Sequence, residues 1–108
     1  MASADILRAA RARIEDPKNW TQGFFAKDQG GRLVASRDEY AVCWCALGAV
    51  IAEADYVEER YSARFLFEAS KKLFDEDDVT VVNDYLGHDA VLKIYDAAIA
   101  AAEAEAGR

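Results

Sequence analysis

Scarcity sets the first limits on this sequence. Its 108 residues include one proline, one histidine, one methionine and two cysteines. A single histidine and one Cys-x-Cys pair fall short of the four Cys/His ligands that a structural zinc site needs. The low proline content accompanies 53% apolar, 11% aromatic and 31% charged residues, the composition of an ordered globule. At this length one domain, spanning residues 1–108, is expected. No apolar run approaches the roughly 18 to 20 residues of a membrane-crossing helix. Charges also interrupt the opening MASADILRAARARIED every few residues, so it lacks the apolar core of a signal peptide. These absences imply a soluble cytoplasmic protein with reduced thiols, no membrane partner and no cofactor.

Basic clusters are missing as well. Net charge is -7; residues 1–54 carry seven basic and seven acidic side chains, residues 55–108 six and thirteen. Neutralising a phosphate backbone requires grouped Lys and Arg, so nucleic acid is excluded as a partner. An acidic second half suits a basic protein partner or serves solubility.

What is present reads as a mainly α chain of four to five helices, with one small β-hairpin between the first and second helices, α+β in the loose sense. Ser3 is a suitable N-cap, and Ile6, Ala10 and Ile14 recur every fourth residue until Pro17 stops the helix. Arg8, Arg11 and Arg13 fall off that stripe and read as a solvated face rather than as partners of an acidic neighbour. In FFAKDQGGRLVAS, at 24 to 36, two short extended runs flank Asp28-Gln29-Gly30-Gly31, the form of a hairpin.

SRDE at 36 to 39 has the Ser-x-x-Glu form of a capping box, predicting a second helix with Tyr40, Trp44, Leu47 and Ile51 on one face. A third helix is predicted over 56 to 74, with Val57, Tyr61, Phe65, Ala69 and Leu73 in register and Leu66 beside them. The acids Asp75 to Asp78 then lack the alternating ligands and turn glycine of a calcium loop, and read as a connector and N-cap. VTVVNDYLGH is ambiguous between strand and helix. The last helix carries Val91, Tyr95, Ala98 and Ala102 as a stripe, Leu92 and Ile99 beside it, and Gly107 as its stop.

The candidate chemistry centres on VCWCALGAV, at 42 to 50. On a helix, residues two apart point roughly 200° apart, so Cys43 and Cys45 cannot face one ion or substrate together. A nucleophilic Cys45 would need His88 as base and Asn83 or Asp84 to orient it. A position well inside the predicted helix would deny the thiol most of the benefit of the helix dipole. Free cysteine is also among the most buried residue types, so packing is the preferred reading. His88, between Gly87 and Asp89, suits a capping or surface role. No phosphate-binding glycine loop and no serine nucleophile elbow is present.

The ordered series Trp-x-Gln-Gly at 20 to 23, AKDQGGR at 26 to 32, Trp-Cys-x-x-Gly-Ala at 44 to 49 and Asn-Asp at 83 and 84 resembles a family of small bacterial and phage proteins classed only as a domain of unknown function. That resemblance covers nearly the whole chain, brings no catalytic roles with it, and singles out Trp20, Gln22, Gly23, Asp28, Trp44, Cys45, Gly48, Asn83 and Asp84. These residues suit turns, caps and close packing. They also suit a small pocket in which tryptophan faces hold a ring and Gln22 and Asn83 bind its edge, giving Trp20, Gln22, Trp44, Asn83 and Asp84 as candidate ligand-binding residues.

Three functions follow as expectations. A non-catalytic binding or adaptor protein, of phage or mobile-element origin, is preferred because the catalytic inventory is thin. The alternatives are a cysteine-dependent hydrolase or transferase built on Cys45, His88 and Asp84, and a small-ligand sponge that stacks a nucleotide base on Trp20 and Trp44. Phe24, Phe25, Phe67 and Phe74 exceed the needs of one helical stripe and point to a protein partner or a homodimer.

Overall fold

The computed structural model describes residues 2–107. Among them are five helices, α1 (Ser3–Ile14), α2 (Ala46–Glu53), α3 (Tyr56–Phe74), α4 (Val79–Tyr85) and α5 (His88–Ala106), and three two-residue strands, β1 (Ala26–Lys27), β2 (Leu33–Val34) and β3 (Cys43–Trp44). The strands form an antiparallel sheet in the order β2-β1-β3, with Ala26 opposite both Val34 and Trp44. The mainly α architecture with a small β element is as expected. No helix among the described residues is long and apolar enough to cross a membrane.

The helices share one apolar interior. Ile6, Leu7, Ala10 and Ile14 of α1, Val50 of α2, Leu66 of α3, Val79 and Val82 of α4, and Val91, Ile94, Tyr95 and Ala98 of α5 are all buried in it. The stripes predicted for the first and last helices are the faces they bury, and Gly107 follows α5 as its C-cap. Asp28 closes the hairpin: its Oδ1 accepts from the backbone N–H groups of Gly30 and Arg32, each at 2.9 Å. The ambiguous segment after the acidic run is helical, because Asp78 caps α4 by accepting from the Thr80 N–H at 2.9 Å.

Three expectations are corrected. The second helix does not begin at the 36 to 39 box. Residues 36–37 and 39–40 form turns, with the Tyr40 N–H on Asp38 Oδ1 at 2.8 Å, and Cys43–Trp44 is a strand rather than helix. Tyr40 is therefore 68% exposed. The backbone hydrogen bonds offered by β1 outweigh a spacing that matches a helix only by coincidence. A true capping box lies instead at Asp55 and Glu58, at the start of α3.

On α3 the buried face is rotated from the predicted one. Ser62, Ala63, Phe65, Leu66, Ala69 and Ser70 face inward, while Val57 and Tyr61 are 66% and 64% exposed and Leu73 is also exposed. Small residues let α3 approach α1 and α5 closely. The buried serines are satisfied locally, Ser70 Oγ donating to the Glu76 carbonyl at 2.6 Å and Ser62 Oγ to Ser3 Oγ at 3.3 Å.

The arginines of α1 do meet acidic neighbours. Arg8 reaches Glu103 at 2.7 Å and Arg11 reaches Asp96 at 2.8 Å, both on α5. Arg13 pairs with Glu53 at 2.6 Å and lies over the Trp44 ring, 4.4 Å from its centroid.

Gly48 marks the tightest joint. A Cβ there would stand 2.0 Å from the Phe25 carbonyl oxygen and 2.8 Å from its carbon. Backbone cannot yield as a flexible side chain does, so Gly48→Ala should cost about 3 kcal/mol of stability in urea unfolding; a change within a few tenths would show that the joint is loose.

Candidate functional site

Three segments distant in sequence meet at the side chain of Asn83, which is fully buried. Its Oδ1 accepts from the Trp20 indole N–H at 2.7 Å and from the Ala46 backbone N–H at 2.9 Å. Its Nδ2 donates to the Thr21 carbonyl and to Asp84 Oδ1, each at 3.0 Å. Two donors and two acceptor positions are the whole capacity of a side-chain amide, and all four are filled.

Neighbouring bonds complete the joint. Gln22 Nε2 donates to the carbonyls of Asn83 and Asp84, at 3.1 and 3.0 Å, satisfying two of the carbonyls that the end of α4 leaves open. The Gly23 N–H, on a residue at φ +84°, reaches Asp84 Oδ1 at 3.0 Å. Thr21 donates its backbone N–H to the Trp44 carbonyl, so the 20–21 segment flanks the side of β3 away from β1. The Trp-x-Gln-Gly, Trp-Cys-x-x-Gly-Ala and Asn-Asp stretches are thus parts of one polar joint.

Cys45 sits at the entry to α2 rather than deep within a helix. It is the N-cap, its Sγ accepting from the Gly48 N–H at 3.2 Å, and its own N–H bonds to the Phe25 carbonyl at 3.1 Å. The helix-start donors favour a thiolate, but they do not prevail. Burial pushes the thiol up from its ordinary 9.0, the Gly48 and Leu47 N–H groups oppose that rise, and the nearby Asp84 charge adds to it. At neutral pH Cys45 is a protonated, capping thiol. Cys43, on the strand, is half-buried and directs its Sγ toward the Lys27 carbonyl at 3.8 Å.

His88 is the first residue of α5 and bonds elsewhere. Its Nε2 lies 2.7 Å from the Ile14 carbonyl, which only accepts, so this nitrogen carries the proton and ties the start of α5 to the end of α1. Its ring lies 5.3 Å from that of Trp20. Trp44 is buried, with Arg13 over its ring and its indole N–H on the Ser36 carbonyl at 2.9 Å. The fold therefore gathers Trp20, Gln22, Asn83 and Asp84 at one joint beside Cys45, while His88 is turned to α1 and the Trp44 face is covered. Among the described residues no three potential metal ligands converge.

Beside the joint opens a half-enclosed cleft of about 200 Å³, lined by Gly23, Phe24, Phe25, Cys45, Thr80 and Asp84. The sequence reading missed Phe24, Phe25 and Thr80 as members of this site. No pattern marks them, because the cleft exists only once the 23–25 segment is laid across the starts of α2 and α4. Deep inside, the Tyr95 hydroxyl donates to the Ala46 carbonyl at 2.6 Å, and burial raises its pKa well above the ordinary 10.0.

Removing the Asn83 amide strands the Trp20 and Ala46 N–H groups and the Thr21 carbonyl. Asn83→Ala should therefore lose about 3 kcal/mol in denaturant unfolding; a loss below about 1 kcal/mol would show that water replaces the amide at little cost. Cys45 and Tyr95 both have raised folded-state pKa values, so their contribution is complete below the unfolded pKa values and fades as pH climbs toward the folded ones. Stability should hold up to about pH 8 and decline above about pH 9. Cys45→Ser, which keeps a capping side chain, should reduce that alkaline slope, and an unchanged slope would contradict the account.

No curated protein and no solved structure matches the chain. A family model does, over residues 1–101, and the chain belongs to that family, the family of unknown function DUF6197.

Proposed function

We propose that this protein is a non-catalytic binding protein that holds a small ligand in the cleft over Cys45, with Trp20, Gln22 and Asn83 as its frame. The observation that carries this reading is the pairing of a protonated capping thiol with a histidine committed to another helix. The cleft presents no histidine beside the thiol, and the thiol is in its less reactive form.

The chemistry of the walls suggests the ligand class. Phe24 and Phe25 are 37% and 40% exposed, and their rings stand 5.5 Å apart in a tilted pair. Thr80 Oγ1 is committed to Asp78 Oδ1 at 2.6 Å. Asp84 spends one carboxylate oxygen on the frame, and its other oxygen makes no hydrogen bond among the described residues. Two apolar walls and one available anionic acceptor favour a small amine with an apolar body.

Asp84→Asn keeps an oxygen for Gly23 and Asn83 while removing the charge. In NMR titrations with a panel of alkyl and aryl primary amines, the backbone amides of Gly23, Phe24, Phe25 and Thr80 should shift together, and Asp84→Asn should weaken that response about tenfold or more. Amine shifts scattered away from the cleft, or a turnover activity abolished by Cys45→Ser, would overturn the proposal.

A further inference from the structure

The cleft over Cys45 has a second carboxylate at its rim. Thr80, which lines the cleft, donates its hydroxyl to Asp78 Oδ1 at 2.6 Å and its backbone N–H to the same oxygen at 2.9 Å. Asp84, also in the lining, stands four residues further along α4, so Thr80 and Asp84 share one face of that helix. Four residues rise about 6 Å and one hydrogen bond joins Asp78 to Thr80, which sets the two carboxylates roughly 10 Å apart along one wall.

The two acids are held alike. Asp84 Oδ1 accepts from the Gly23 N–H and from Asn83 Nδ2, each at 3.0 Å, and Asp78 Oδ1 takes both Thr80 donors. Among the described residues neither Oδ2 makes a hydrogen bond or an ion pair. Each carboxylate is thus fixed by one oxygen and keeps the other for a cation. Its neighbours in the acidic run are engaged elsewhere, Asp75 and Asp77 with Lys71 at 2.8 and 3.8 Å and Glu76 Oε2 with the Asp78 N–H at 3.1 Å. The partial positive charge at the start of α4 is met by Asp78 Oδ1 and leaves Oδ2 in water.

Between the two acids the lining is uncharged, with Phe24 and Phe25 on one side and the protonated Cys45 thiol beneath. One ammonium would satisfy only one end. Resting on the reading of this cleft as an amine site, we propose that its occupant is a short linear α,ω-diamine, with one ammonium on Asp84 Oδ2, the other on Asp78 Oδ2, and the methylene chain along the phenylalanines. A chain of about four or five methylenes spans the gap once each nitrogen stands about 2.8 Å from its oxygen. A net charge of -7 also raises the local concentration of a dication.

NMR titration at fixed ionic strength, with the α,ω-diamines of butane and pentane against butylamine and pentylamine, tests this directly. The diamines should bind about tenfold or more tighter than the monoamines of equal length, read on the backbone amides of Gly23, Phe24, Phe25 and Thr80. Asp78→Asn keeps a capping oxygen for Thr80 and should retain the wild-type Tm to within a few degrees. It should lower the diamines to monoamine affinity and leave the monoamines unchanged. Asp77→Asn, the same loss of charge on the adjacent residue, should preserve the diamine preference. Diamines no tighter than monoamines that still shift the cleft amides would overturn this inference and leave the amine site standing, whereas a cleft silent to both would remove the two together. A preference that survives Asp78→Asn, or falls equally with Asp77→Asn, would also overturn it, the latter by tracing it to diffuse charge.

Discussion

The constraint on which the rest of the structure depends is the burial of one side-chain amide. An amide taken from water without partners costs several kcal/mol, so Asn83 is tolerated in the interior only if four groups come to meet it. Those groups belong to the Trp20–Thr21 segment, the start of α2 and Asp84. Satisfying the amide therefore fixes where a loop, a helix start and the end of α4 lie relative to one another. The starts of α2 and α4 also pack in the apolar interior, whereas of the 20–23 segment only Trp20 is an apolar side chain packed against it, so that segment depends most on these bonds.

The positions around the joint follow from that placement. With Ala46 donating to Asn83, the chain must turn from strand to helix at Cys45, whose sulfur takes the Gly48 N–H. Gly48 is then pressed against the Phe25 backbone, where no Cβ fits. The cleft over Cys45 is the space left where the 23–25 segment crosses this turn. Its position on rigid helix starts suits a site that recognises a ligand without moving far to do so.

Much of the fold was legible in the sequence. The stripe of Ile6, Ala10 and Ile14, the stripe from Val91 to Ala102 and the Asp28 turn are local patterns, and local patterns survive into the structure. The start of α2 was not legible. Tyr40, Trp44, Leu47 and Ile51 fit a helical period while residues 43 and 44 are extended, and only their pairing with β1 decides between the two. The rotation of α3 was hidden for a related reason, since hydrophobicity favours Val57 and Tyr61 over Ser62 and Ser70, whereas close helix packing favours the serines. At the site, the residue types Trp20, Gln22, Asn83 and Asp84 stood out, but their geometry did not. Asn83 and Trp20 are 63 positions apart, and no spacing rule reaches across such a separation.

Hydrogen exchange by NMR on the native protein tests the central claim most directly. If Asn83 holds the three segments together, the Trp20 indole N–H, the Ala46 N–H and the Asn83 side-chain amide protons exchange at one common slow rate, close to that of the interior amides of α5. If the Trp20 indole proton exchanges rapidly while α5 stays protected, the 20–23 segment opens independently of the core. The joint would then be a surface contact, and the fold would stand without it.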